Sequence, residues 1–222
     1  MRTFSHPGYK RFLLSVGCLL SIHFTALFFL TLFRLVFFFS ANYDFPDQEH
    51  VGFMSIWPAF IRGVWFDNVI ACYILLIPLV AVSISALFNY YGKILWNVTC
   101  IFFSLFYGIV LLVTAANIPY FQYFFKIINS SVFNWFGYMN TTAGMVFGET
   151  SYYPPLIGFL LTLVLFIWLM RRLIRHFQRL LNTKNPSVFW LDRIYIFLTA
   201  GICIGLCLFG IRGRTGYNPI KV

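Results

Sequence analysis

Apolar positions along this chain gather into runs too long for ordinary soluble segments. Five stretches stand out, at about residues 12–38, 68–88, 94–116, 155–170 and 194–211. Each reaches or approaches the roughly 20 residues that an α-helix needs to cross a bilayer. The pattern predicts an all-α membrane protein with five transmembrane helices. Only residues 89–93 separate the second run from the third, which makes those two helices a tight hairpin. Pro78 sits inside the second run, where its ring should kink the helix unless neighbours satisfy the freed carbonyl. After the fourth run comes RRLIRHFQRLL, residues 171–181. Leu173, Ile174, Phe177, Leu180 and Leu181 share one helical face there, with Arg172, Arg175 and Arg179 largely opposite. The reading is an amphipathic extension lying on an anionic inner leaflet.

Composition agrees with a membrane class. The 222 residues are 60% apolar and 22% aromatic, and 10% are charged; a soluble domain carries about 25% charged residues. A net charge of +10 can signal nucleic-acid binding, but here the cations cluster at the ends of apolar runs, as membrane topology requires. The N-terminal run is no signal peptide: residues 12–33 give 22 consecutive positions, against about 7–15 in a signal sequence. With the N-terminus inside, ten Lys and Arg fall in inner segments, five in outer ones, and Arg34 lies in the first span. The positive-inside rule therefore predicts N-in and, after five spans, C-out. Five of the six acids then fall outside. Cys18, Cys72, Cys100, Cys203 and Cys207 all lie inside apolar runs, with no CxxC pattern, and read as small packing residues rather than a disulfide framework.

The two outer connections are the unusual parts. Residues 39–66 contain NYDFPDQEH and then VGFMSIWPAFIRGVW, and residues 117–154 are long and rich in Tyr, Phe and Trp. Such aromatics favour the membrane–water interface, so short interfacial helices are expected in both, forming a platform on the outer face.

Charges at the edges of the apolar runs are the candidate chemistry. Counting from Phe12, Arg34 lies about 33 Å along its helix, close to the outer limit of a hydrocarbon core of about 30 Å. Asp67, in AFIRGVWFDNVI (residues 59–70), opens the second span at a similar depth. Three readings of Arg34 follow: a pair with Asp67, snorkelling to the interface, or a ligand-facing cation. Arg62 and Asp67 are five apart and about 140° around one helix, so they do not pair with each other. Asp67 also suits a position near a helix N-terminus. His23, inside the first span, reads as a buried helix–helix hydrogen bond. His6 and His176 read as ordinary terminal and surface residues. Asp44, Asp47, Glu49 and His50 lack metal-ligand spacing and read as a solvated loop. No nucleophile elbow, HExxH, phosphate loop or Cys/His metal pattern occurs, so no catalytic or metal residue is assigned.

Several stretches resemble one family. AFIRGVWFD leading into IACYILLIPL, then ANIPYFQYFFKIINSSVFNW with GMVFGETSYYP, then FGIRGRTGYNPIKV, together look like the N-terminal membrane domain of the lipoteichoic acid synthase-like, sulfatase-related transferases. These are bacterial phosphoglycerol or phosphoethanolamine transferases of the alkaline phosphatase superfamily. The resemblance runs from about Arg34 to Val222. It implies five membrane helices in a bacterial cytoplasmic membrane, followed by an extracytoplasmic catalytic domain with a nucleophilic Thr or Ser and a divalent metal. That domain would begin after residues 212–222, which read as a linker, so this chain by itself would be catalytically inert. The membrane domain would tether the catalytic domain and hold a donor lipid. Arg34, Arg62, Lys126, Arg212 and Arg214 are the expected contacts to its anionic headgroup, because Arg grips phosphate with two parallel hydrogen bonds. A small transporter or channel subunit, or a membrane scaffold, are the alternatives. The transporter is disfavoured because no internal repeat is evident and the charges sit at the boundaries.

Overall fold

A computed structural model of the chain describes residues 6–43, 53–129, 144, 148, 150–181 and 190–212. The helices are α1 (Pro7–Tyr43), α2 (Phe53–Leu87), α3 (Lys93–Phe124), α4 (Tyr153–Leu181, entered through a 3₁₀ turn at Thr150–Tyr152) and α5 (Trp190–Arg212). All five are long and apolar enough to cross a membrane, and no strand occurs among the described residues. Two ends of the bundle can be distinguished. The N-terminal end holds the starts of α1 and α5, the end of α4 and the α2–α3 turn. The C-terminal end holds the end of α1, the starts of α2 and α4, and the ends of α3 and α5.

Helix α1 is the hub, packing against all four other helices; α2 also packs along α5, and α3 along α4. Phe12, Val16, Leu19, Ile22, Ala26, Phe29 and Phe33 recur every three or four residues on α1 and are buried. An aromatic knot joins three helices mid-bundle. The Phe29 and Tyr107 rings both meet Phe166 edge-on, at 6.2 and 5.4 Å between centroids. Such pairs add about 0.5–1.5 kcal/mol beyond their packing, which matters because lipid gives helices no hydrophobic drive to associate. Most hydroxyls are spent within their own helix. Ser15, Ser21, Thr25, Thr31, Ser83, Ser104 and Thr114 each donate to the carbonyl four residues earlier.

The hairpin between α2 and α3 closes by a Schellman motif. Tyr90 N–H donates to the Ser85 carbonyl (2.8 Å) and Asn89 N–H to that of Ala86 (3.0 Å), with Asn89 left-handed at φ 55°. At the other end of α3, Phe125 is also left-handed (φ 54°), and its N–H caps the Phe121 carbonyl. Asn117 Oδ1 then accepts the Ile128 N–H at 2.9 Å, turning the chain back over the end of α3.

The helices extend beyond the sequence-based spans. Residues 53–66, expected as an interfacial element of the first outer loop, form the opening turns of α2, continuous with the span. The helix runs on through both Pro58 and Pro78. Helix α3 reaches Phe124 rather than residue 116. The amphipathic segment 171–181 is the last part of α4. Its apolar face packs inward: Ile174 and Leu181 are buried, and the Phe177 ring lies over Gly17 of α1. The physical reason is that α1 begins at Pro7, long enough to cover that face with protein. Residues 44–52, with Asp44, Asp47, Glu49 and His50, most of the second long connection (residues 130–143) and residues 213–222 lie outside the described residues.

Candidate functional site

Side chains on a helix lean toward its N-terminus. Arg34 on α1 therefore leans back into the bundle from the C-terminal end, and Asp67 on the antiparallel α2 leans toward it. They meet in a two-pronged ion pair: Arg34 Nη2 donates to Asp67 Oδ1 at 2.7 Å and Nε to Oδ2 at 3.2 Å. The Asp67 side chain is 13% exposed and that of Arg34 32%. Two parallel charge-assisted bonds match the guanidinium fork to the carboxylate and fix both side chains. Gly63 makes the approach possible. A Cβ there would fall inside contact distance of Arg34 Nη1, Cζ and Nε, so the guanidinium lies directly on the α2 backbone.

Neighbouring contacts lock this end. Gln122 Nε2 donates to Ser40 Oγ at 2.7 Å, and the Phe37 and Phe121 rings meet edge-on at 5.1 Å, tying the ends of α1 and α3. Deeper, His23 Nε2 donates to Asn68 Oδ1 at 3.2 Å, a part-buried hydrogen bond between α1 and α2. The Cys72 thiol approaches the same oxygen at 3.9 Å. Helix α5 joins here: Cys207 Sγ donates to the Cys72 carbonyl at 3.2 Å, and a Cβ on Gly210 would stand 2.8 Å from Cys72 Sγ.

The remaining cations differ in kind from Arg34. Arg62 on α2, Lys126 just past α3 and Arg212 at the last position of α5 are all exposed. Arg214 lies outside the described residues. The structure thus brings Arg34 and Asp67 together and leaves Arg62, Lys126 and Arg212 open to the surroundings on three separate elements. On the same helix as Arg62, Trp57 and Phe60 stack at 6.2 Å, and Trp57, Ile61 and Trp65 follow one another at four-residue spacing on an exposed face of α2. Wide exposed aromatic rings near the end of a membrane helix suit the headgroup boundary. Among the described residues no group of three or more His, Cys, Asp and Glu side chains is placed to hold a metal ion.

A second polar cluster, at the N-terminal end, escaped the sequence reading. His6 Nδ1 donates to Asp192 Oδ1 at 2.8 Å, and Asp192 is fully buried in the first turn of α5. The rings of His6 and Tyr9 both pack on Tyr195, and Thr199 Oγ1 donates to the Tyr9 hydroxyl at 3.3 Å. Arg11 Nη2 donates to the Leu181 carbonyl at 2.9 Å, and the guanidinium lies over the Tyr91 ring at 4.9 Å. Burial pushes the Tyr91 phenol up to about 12, with Arg11 pulling weakly the other way. One signal was available: Asp192 is the only one of the six acids on the cation-rich side.

No family model matches this chain, and no match to it was found among the curated proteins or the solved structures.

Proposed function

We propose that this chain is the membrane domain of a sulfatase-like transferase. In this reading it anchors an extracytoplasmic catalytic domain and presents to it an anionic phospholipid, whose phosphoglycerol-type headgroup passes to a glycan or lipid acceptor. One observation carries the reading. Five crossings are an odd number, so α5 leaves the bundle at the C-terminal end, beside the Arg34–Asp67 brace and the exposed Arg62, Lys126 and Arg212. A domain following α5 would stand over those cations. Arg34 acts as the brace, fixing α1 against α2, and the three exposed cations supply phosphate contacts at the interface. The loose sequence resemblance, with its order of aromatic stretches, supports the reading from a second direction.

Two measurements test it. A phosphatase reporter that is active only outside the cytoplasm, fused after Val222, is expected to be active. A silent reporter there, with a fluorescent cytoplasmic reporter bright at the same position, rejects the reading. The purified chain is expected to retain phosphatidylglycerol over phosphatidylcholine, with the preference reduced in an R62Q/K126Q/R212Q variant. An unchanged lipid ratio in that variant removes the headgroup role.

A further inference from the structure

A groove of about 370 Å³ opens between α1 and α4 toward the N-terminal end, lined by Lys10, Leu13, Leu14, Gly17 and Phe177. The four α1 residues fall at i, i+3, i+4 and i+7, a single stripe on that helix. Gly17 leaves the stripe without a side chain at its inner end. There the Phe177 ring stands 3.6 Å from where a Cβ would lie, closing the groove. Leu13 is 43% exposed, so the wall opens sideways to the surroundings. Lys10, the one charged residue of the lining, is exposed at the end nearest the start of α1.

The charge around the groove has one sign. Among the described residues of this end, Lys10, Lys93, Arg171, Arg172, Arg175, Arg179 and Arg193 are exposed, and the acid Asp192 is buried against His6. Arg175 and Arg179 are each two residues from Phe177, which is about 160° around the helix, so they face away from the groove. They contribute a general field toward an anionic leaflet. Among the described residues Lys10 joins that field to the apolar cleft, its stem lining the cleft and its ammonium able to reach headgroup level.

We propose that this groove binds one anionic phospholipid of the leaflet surrounding the N-terminal end. An acyl chain lies along Leu13, Leu14 and Gly17 against Phe177, and the phosphate meets Lys10. The site is at the opposite end of the bundle from Arg62, Lys126 and Arg212, so it stands or falls separately from the function proposed above.

The test uses the purified chain in phosphatidylcholine nanodiscs carrying a small fraction of phosphatidylglycerol with a photoreactive diazirine in one acyl chain. Peptide mapping after illumination is expected to find the label concentrated on residues 10–17 and around Phe177. Lys10→Gln should lower that labelling about fivefold, the ratio that one lysine near an anionic surface supplies. A phosphatidylcholine probe should be weaker by a similar factor. Gly17→Leu, which fills the cleft, should abolish labelling there while sparing other lipid-facing segments, and Arg175→Gln should leave it unchanged. Label spread evenly over the helices, equal labelling by the two probes, or cross-links showing a second copy of the chain in the groove would each overturn the proposal. If Gly17→Leu fails to fold, Lys10→Gln decides the matter, because its side chain is exposed.

Discussion

Arg34 and Asp67 are tolerable within apolar helices because each cancels the other's charge. Removing one partner leaves the other stranded at low dielectric. Breaking a fully buried pair costs about 3–5 kcal/mol; with Arg34 about a third exposed to the surroundings, Arg34→Gln or Asp67→Asn should cost about 2 kcal/mol. Combining Arg34→Gln with Asp67→Asn should cost less than the two single changes added together, since the double change strands no charge. Thermal unfolding of the four proteins in one detergent measures this, and strictly additive losses would show that the ion pair contributes nothing. Gly63→Ala should act through the same pair, lowering stability in the wild type and having little effect once Arg34 is Gln. The sequence made the partnership readable through matched depth, 33 residues apart. It hid Gly63, because the need for a missing side chain appears only when residues 53–66 are helical and pass beneath the guanidinium.

At the scale of elements, the α2–α3 hairpin and the five spans were legible from run length, whereas the helical extensions at the C-terminal end of the bundle were not. Pro58, Arg62 and Gly63 weaken the apolar helical signal of residues 53–66, and packing overrides that weak propensity. The apolar face of residues 171–181 was legible, but whether lipid or protein covers it depends on where α1 begins. The hairpin carries its own pH dependence. Tyr91 follows the turn, outside the spans, with its phenol raised to about 12 chiefly by burial. A phenol in the unfolded chain ionises near 10, so between about pH 10 and 12 the unfolded state sheds its proton first and stability falls. Below pH 10 both states keep the proton and this residue imposes no slope. Tyr91→Phe should remove that part of the alkaline loss, and chemical unfolding from pH 9 to 12 would reveal it. Parallel curves for the two proteins would mean that Tyr91 is solvated.

On the scale of the whole bundle, α5 has few buried side chains among the described residues and packs chiefly along α2, with two polar or close-packed areas, one toward each end. At the N-terminal end it is held by His6 on Asp192 and by Tyr9 on Thr199 and Tyr195. Toward the C-terminal end it is held by the close approach of Gly210 and Cys207 to Cys72. The first area was hidden because His6 precedes any apolar run, and only folding brings it to Asp192. The second was hidden because cysteines in apolar runs read as filler, although these two occupy a seam that larger residues could not enter. The two areas are separated along the length of α5 and share no side chain, so they should fail independently. Gly210→Leu should force α5 off Cys72 and raise maleimide labelling of Cys72 and Cys207, which are now buried, while His6 stays on Asp192. Asp192→Ala should loosen the opposite end and leave the two thiols protected. Combining both changes should loosen α5 at both ends and lower stability by more than either alone. Thiol labelling of folded protein in detergent distinguishes these cases. If Gly210→Leu leaves Cys72 and Cys207 as protected as in the wild type, the seam is not what holds that end of α5, and the rest of its packing along α2 does.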